Sequence, residues 1–240
     1  MQHNRIVSRE EWLSARRALL VKEKEATRLR DAINFERMAL PWVKLEQAYA
    51  FDTPEGRKSL AALFAGRSQL IVYHFMLGPE WQAGCPGCSF LADHIDGALP
   101  HLDHHDVTMV AVSRAPLAKI EAYRTRMGWR FPWVSSFGSA FNFDFHVSFT
   151  GEQLAKGAVF YNFAEISSGE AHDELPGLSA FYKDAAGDVF HTYSAYARGL
   201  EELIGTLMIL DRASKGRNET AGMGWVRRHD EYEDTTESSV

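Results

Sequence analysis

Only two of the 240 residues are cysteine, Cys85 and Cys88. That scarcity excludes a disulfide framework and a four-cysteine zinc site. A bridge between the two would close almost no loop, so stabilisation is not its purpose. Long apolar runs are missing as well, and none approaches the roughly 20 residues of a membrane-spanning helix. The opening residues MQHNRIVSREEW lack the apolar core of an export signal, so a cytoplasmic location and no membrane partner are expected. Positive charge is in deficit, with 26 Lys and Arg against 32 Asp and Glu and a formal net charge of -6. Its basic residues are scattered, which argues against a nucleic-acid partner. No internal repeat is visible. What is present is an ordinary globular composition, long enough for one domain with elaborations.

The chain is organised around residues 70–90, LIVYHFMLGPEWQAGCPGCSF. Residues 70–77 are apolar and β-branched, with the length of a buried strand. Gly78 and Pro79 break it. From Ser89 to Leu102 the apolar residues Phe90, Leu91, Ile95, Ala98, Leu99 and Leu102 follow helical spacing. Cys85 is therefore expected at the first turn of a helix, directly after a central strand. Unpaired N–H groups and the helix dipole favour a thiolate there. Cys88, one turn deeper, is placed to attack any mixed disulfide formed on Cys85. The alternative is a three-ligand metal site completed by His94 or His74. Flanking elements suited to thiolate activation favour redox chemistry, and no cofactor is expected.

Residues 8–40 read as helix, with Ser8 and Glu11 forming a capping box. Trp12, Ala15, Leu19, Ala26, Leu29 and Ile33 make a narrow stripe interrupted at Lys22. It suits packing on the chain's own body or on a second copy, a homodimer through the N-terminal helix. Pro41 ends that helix. Residues 43–51 read as a strand, 52–56 as a turn and 59–64 as a short helix. His101, Asp103, His104, His105 and Asp106 read as a solvated helix end, with a metal site as the alternative. Residues 107–112 are a second buried strand, followed by a helix opened by Pro116 and buried through Ile120, Tyr123 and Met127. Strand, dithiol helix, strand and helix make a β-α-β unit with parallel strands. Arg114, at the end of the second strand, is expected on the same sheet edge as the dithiol, within reach of an anionic substrate.

The stretch 128–163 is rich in aromatics: Trp129, Phe131, Trp133 and Phe137 precede FNFDFHVSF at 141–149. Strict alternation over 141–149 predicts a strand with Asn142, Asp144, His146 and Ser148 on its polar side. These aromatics are read as core, or as walls of a pocket over the dithiol with His146 or Asp144 handling protons. Residues 167–176 read as a loop, 178–182 and 189–193 as a hairpin, and 200–210 as a closing helix. From residue 213 the chain reads as a polar tail, within which 225–232 (WVRRHDEY) is suited to dock on the body or on a neighbouring subunit.

That order resembles a thioredoxin fold with additions. More closely, the chain resembles a family of thioredoxin-like proteins catalogued as a domain of unknown function, predicted to be dithiol–disulfide oxidoreductases. The blocks that carry the resemblance are YHFM at 73–76, GCPGCSF at 84–90, VSRAPLAKIEAY at 112–123, RMGWRFPWVSS at 126–136, FNFDF at 141–145 and WVRRHDEY at 225–232. It implies an α/β fold with a central mixed sheet flanked by helices, and a site at Cys85 and Cys88. The expected organisation is an N-terminal helical extension (1–40), a thioredoxin-like domain (41–212, with an insertion at about 129–177) and a C-terminal tail (213–240). Two departures from the thioredoxin pattern stand out. Pro-Gly replaces Gly-Pro between the cysteines, and Gly84 stands where thioredoxins carry Trp, Trp81 being the nearest substitute. Pro176 is the nearest candidate for the cis-proline that faces the dithiol in that fold, with Leu178 and Ser179 at the expected spot.

The expected function is thiol–disulfide exchange with Cys85 as nucleophile and Cys88 as resolving thiol. Substrate contacts are expected from Trp81, Arg114 and His146, and the partner is a disulfide-containing protein or a small thiol. The alternatives are a peroxiredoxin-like thiol peroxidase, with Arg114 polarising the peroxide, and a metal or small-molecule binding protein on the same fold.

Overall fold

The computed structural model describes residues 4–170, 172–219 and 222–232. The chain divides into two units, one ending at Pro41 and the other starting at Trp42. The first is built on one helix, α1 (Arg9–Met38), opened by the capping box read from the sequence. The Ser8 hydroxyl accepts the Glu11 N–H at 3.2 Å, and the Glu11 carboxylate accepts the Ser8 N–H at 3.0 Å. No residue of α1 is buried.

The second unit runs β1 (Val43–Lys44), β2 (Ala50–Thr53), β3 (Gly56–Ser59), α2 (Leu60–Leu63), β4 (Gln69–His74), α3 (Pro86–Ala92), α4 (Leu99–His104), β5 (Val107–Ser113), α5 (Leu117–Arg126), β6 (Trp133–Ser135), α6 (Phe141–Asp144), α7 (Gly151–Ala155), β7 (Ala158–Tyr161), β8 (Ala164–Ser167), β9 (Gly177–Lys183), β10 (Val189–Tyr196) and α8 (Gly205–Leu210). Eight strands form one mixed sheet in the order β1-β10-β9-β4-β5-β6-β2-β3, while β7 and β8 form a separate hairpin. β4 and β5 are parallel, joined through α3 and α4, and the β9–β10 hairpin lies antiparallel on the other side of β4. This is the expected thioredoxin-like α/β core. Leu70 and Val72 of β4 enter one buried cluster and Tyr73 the other, so both faces are covered. That explains an unbroken apolar run in place of alternation.

Several expectations are corrected. The helix read over 89–102 is two helices, α3 and α4. Pro100 near the start of α4 lacks an N–H, and its ring would clash with the carbonyl of residue 96 in a continuous helix. The intervening turn is held by acids, with Asp93 accepting the Trp129 indole N–H at 2.8 Å and Asp96 the Phe131 N–H at 2.8 Å. The strand read over 141–149 is instead α6 followed by an irregular segment. Phe141 and Phe145 are four apart, their rings are 4.7 Å apart, and both stack on buried His74 at 5.5 and 5.6 Å. The segment 43–51 is not one strand, because β1 and β2 join opposite ends of the sheet. Trp129, Phe131 and Trp133 are buried in the core, Trp129 and Trp133 against the Phe75 ring and Phe131 against both of them. The closing helix is divided, a 3-10 segment (Ala197–Leu203) preceding α8.

Residues 222–232 lie on the body of this unit. Val226 is buried, and the Trp225 ring meets Phe90 edge-on at 5.6 Å. The end of the expected tail, residues 233–240, lies outside the described residues.

Candidate active site

After β4 the loop turns back so that the Cys85 N–H donates to the Met76 carbonyl at 3.2 Å. α3 starts at the next residue, with Cys85 as its N-cap and Pro86 in its first turn, where the missing N–H forfeits no bond. Cys85 is partly exposed and Cys88 is buried. The Cys88 thiol donates to the Cys85 sulfur, the largest influence on it. The N–H groups of Cys88 and Gly87 and the positive Arg228 act in the same direction. Together they outweigh burial and lower Cys85 to about 6. Cys88 moves the opposite way, pushed up by burial and by the neighbouring Cys85. At neutral pH the pair is thus a partly exposed thiolate with a buried thiol behind it. Tyr73, also buried, points its hydroxyl at the Cys88 carbonyl at 3.4 Å and favours the charged form of the Cys88 sulfur.

Gly84 is required by close packing. A Cβ there would lie 2.6 Å from the Phe75 ring and 2.8 Å from the Tyr123 ring. No tryptophan fits that position in this core. A chain of polar groups runs beneath it. Arg228 donates to the Tyr123 hydroxyl at 3.0 Å, Tyr123 meets the Ser89 hydroxyl at 2.9 Å, and Ser89 donates to the Cys85 carbonyl at 2.9 Å. Arg228 also donates twice to the Gly84 carbonyl, at 2.6 and 3.0 Å.

The expected substrate contacts lie in two places. Trp81 packs against the same buried cluster as Cys85, and its indole N–H donates to Asp173 at 2.9 Å. The Lys119 ammonium holds the backbone before it by donating to the carbonyls of Pro79 and Trp81. Arg114 meets the same Asp173 at 3.3 Å and the buried Glu174 at 2.5 Å. Arg114 also sits 4.9 Å above the Phe143 ring and lines a hollow of about 370 Å³ with Pro79, Phe137 and Phe143. His146 is exposed and edge-on to Phe160, and it lines a second hollow that shares Phe143.

The histidines weighed as metal ligands are engaged elsewhere. His74 bonds Ser179 at 2.9 Å on the opposite face of the sheet. His94 accepts the Thr206 N–H at Nε2, and its Nδ1 meets the Phe90 carbonyl at 2.8 Å. Among the described residues, no three His, Cys, Asp or Glu side chains are grouped to hold a metal ion, the His101–Asp106 region included. No peptide bond is cis among the described residues, that before Pro176 included. Sequence reasoning missed Arg228, Tyr73 and Tyr123 as parts of the site. All three lay in blocks already singled out, YHFM, VSRAPLAKIEAY and WVRRHDEY, but a lone Tyr on a strand, a Tyr on the inner face of a helix or an Arg in a polar tail carries no local signal of a site.

The model of a family described as "Bacterial protein of unknown function (DUF899)" matches residues 1–232. No curated protein matches the chain. Among solved structures, a mutant of peroxiredoxin Q from Xanthomonas campestris is 15% identical with a TM-score of 0.42, covering 67% of this chain and 90% of that one. Peroxidoxin BcpB from Mycobacterium tuberculosis is 11% identical with a TM-score of 0.40, covering 71% and 97%. The mitochondrial 2-Cys peroxiredoxin from Plasmodium falciparum is 13% identical with a TM-score of 0.38, covering 71% and 94%.

Proposed function

The chain belongs to the DUF899 family, and we propose that this member is a thiol–disulfide oxidoreductase, with Cys85 as nucleophile and Cys88 as resolving thiol. One observation carries the reading: a partly exposed Cys85 favoured as thiolate at the start of α3, backed by a buried, protonated Cys88. The Cys85 thiolate attacks one sulfur of a substrate disulfide, forming a Cys85–substrate bond and expelling the other sulfur as a thiolate that takes a proton from solvent. Discharging Cys85 removes the anion that kept Cys88 protonated. Cys88 then loses its proton and attacks the Cys85 sulfur, releasing the second substrate thiolate and leaving a Cys85–Cys88 disulfide. Two electrons pass to the substrate, and an external dithiol reductant returns the pair to its starting state. Trp81 and Arg114, joined through Asp173, are the proposed substrate contacts, with His146 on a separate hollow that shares Phe143 with that of Arg114.

The test is reduction of insulin disulfides driven by dithiothreitol, with mass analysis of trapped adducts. Cys85→Ser is expected to abolish the catalysed rate, and Cys88→Ser to accumulate a mixed disulfide on Cys85. Equal rates in wild type and Cys85→Ser would overturn the proposal. The same proteins mixed with hydrogen peroxide identify the oxidant. Oxidation no faster than that of a free thiol supports a disulfide substrate, and a rate orders of magnitude faster would reassign the site to peroxides.

A further inference from the structure

The peptide unit joining Gly84 to Cys85 is gripped at both ends. Its N–H donates to the Met76 carbonyl, and its carbonyl accepts two bonds from Arg228, a residue 144 positions away in sequence. Arg228 is itself anchored by Glu231 at 2.8 and 3.0 Å, and Glu231 also takes a bond from Arg126 of α5 at 2.9 Å. His229 reaches Asp93, just past the end of α3, at 2.7 Å. At the near end of the segment, a Cβ placed on Gly87 would meet the Met223 methyl at 3.5 Å and the Cys85 sulfur at 3.8 Å. The segment thus runs from one side of the reactive sulfur to the end of its helix.

We infer that residues 222–232 form a wall of the dithiol site and that Arg228 is its positioning residue, holding the peptide that carries Cys85 and supplying the positive charge its thiolate faces. The inference rests on the dithiol reading and adds to it a part supplied from the far end of the chain. A planar guanidinium suits this role, because its fixed fork bonds the Gly84 carbonyl, the Tyr123 hydroxyl and Glu231 at once. The net charge that Cys85 faces is then a balance between Arg228 and its counter-ion.

That balance gives a test with two signs, read without substrate by following thiolate absorbance of the reduced protein against pH. The other titratable or charged groups on this side are Cys88, Tyr73, Tyr123, Arg126 with its partner Asp230, and the His229–Asp93 pair, which the variants leave in place. Arg228→Gln removes the positive charge and is expected to raise the Cys85 midpoint by about one pH unit. Arg228→Lys restores part of that shift. Glu231→Gln leaves the charge of Arg228 less compensated and moves the midpoint down by a smaller amount. Mere loosening of the segment would move Arg228→Gln and Glu231→Gln in the same direction. The inference is overturned if folded Arg228→Gln and Glu231→Gln shift Cys85 the same way, or if neither shifts it. Should Arg228→Gln fail to fold, Glu231→Gln decides alone: a lower midpoint supports the inference, and an unchanged or higher one overturns it. A wild-type midpoint near that of a free thiol would instead overturn the proposed function.

Discussion

A methyl group at position 84 has nowhere to go. Its Cβ would overlap the rings of Phe75 and Tyr123, both held by neighbours in the aromatic cluster around Trp133. These are not the free ends of flexible side chains, so the backbone would have to move. The same backbone presents its carbonyl to Arg228 and its next residue is Cys85. Gly84→Ala is therefore expected to destabilise the reduced protein by about 1–3 kcal/mol, as overpacking in a filled core does. Urea unfolding checks it. A stability within error of wild type would mean that the rings have room the structure does not show. The departure from thioredoxin at this position thus has a steric cause. A large residue before the first cysteine is incompatible with a loop packed this tightly on Phe75.

At the scale of elements, what could be read from sequence was whatever repeats with a period. The buried strands β4 and β5, the helix at Cys85, the hairpin β9–β10 and the capping box of α1 all follow from composition, breakers and spacing. The misreadings have definite causes. In FNFDFHVSF, the pair Phe141 and Phe145 fits period two and an i,i+4 pair equally well, and only His74, distant in sequence, decides between them. Over 89–102 the apolar spacing runs straight through Pro100, the residue that forbids a continuous helix. Residues 225–232 read as a segment suited to dock, and its seat on the body is carried by single residues, chiefly Trp225, Val226 and Arg228, a pattern with no period. If the His74 stack is what selects α6, Phe141→Ala should cost about 3–5 kcal/mol, the range for deleting a fully buried ring. Phe137→Ala, at an exposed neighbouring aromatic, should cost under about 0.5 kcal/mol. Denaturant midpoints of the two variants make the comparison, and equal losses would refute the packing account.

For the whole molecule, two buried groups make opposing demands on pH. His74 is fully buried and held well below its ordinary value, at about 3, chiefly by burial. Its unfolded form gains a proton that the folded form refuses, so stability is lost as pH falls from about 6.5 toward 3. Burial pushes Glu174 up to about 7 despite the bond to Arg114. Its unfolded form ionises while the folded form stays protonated, so stability is lost as pH rises from about 4.5 toward 7. Each slope is about 1.4 kcal/mol per pH unit where its proton is fully exchanged, and between about pH 5 and 6 the two nearly cancel. In wild type these two contributions should offset each other across that interval, leaving the slope to other groups such as Cys85 and His191. Glu174→Gln removes one side of the balance and should make stability fall toward acid, while His74→Gln should make it fall toward neutral pH. Reading each variant as a difference from wild type cancels the surface carboxylates common to all three proteins. Urea unfolding of the reduced proteins at a series of pH values between 4.5 and 7 measures both slopes. Parallel profiles for the two variants would show that neither buried group titrates as its surroundings require.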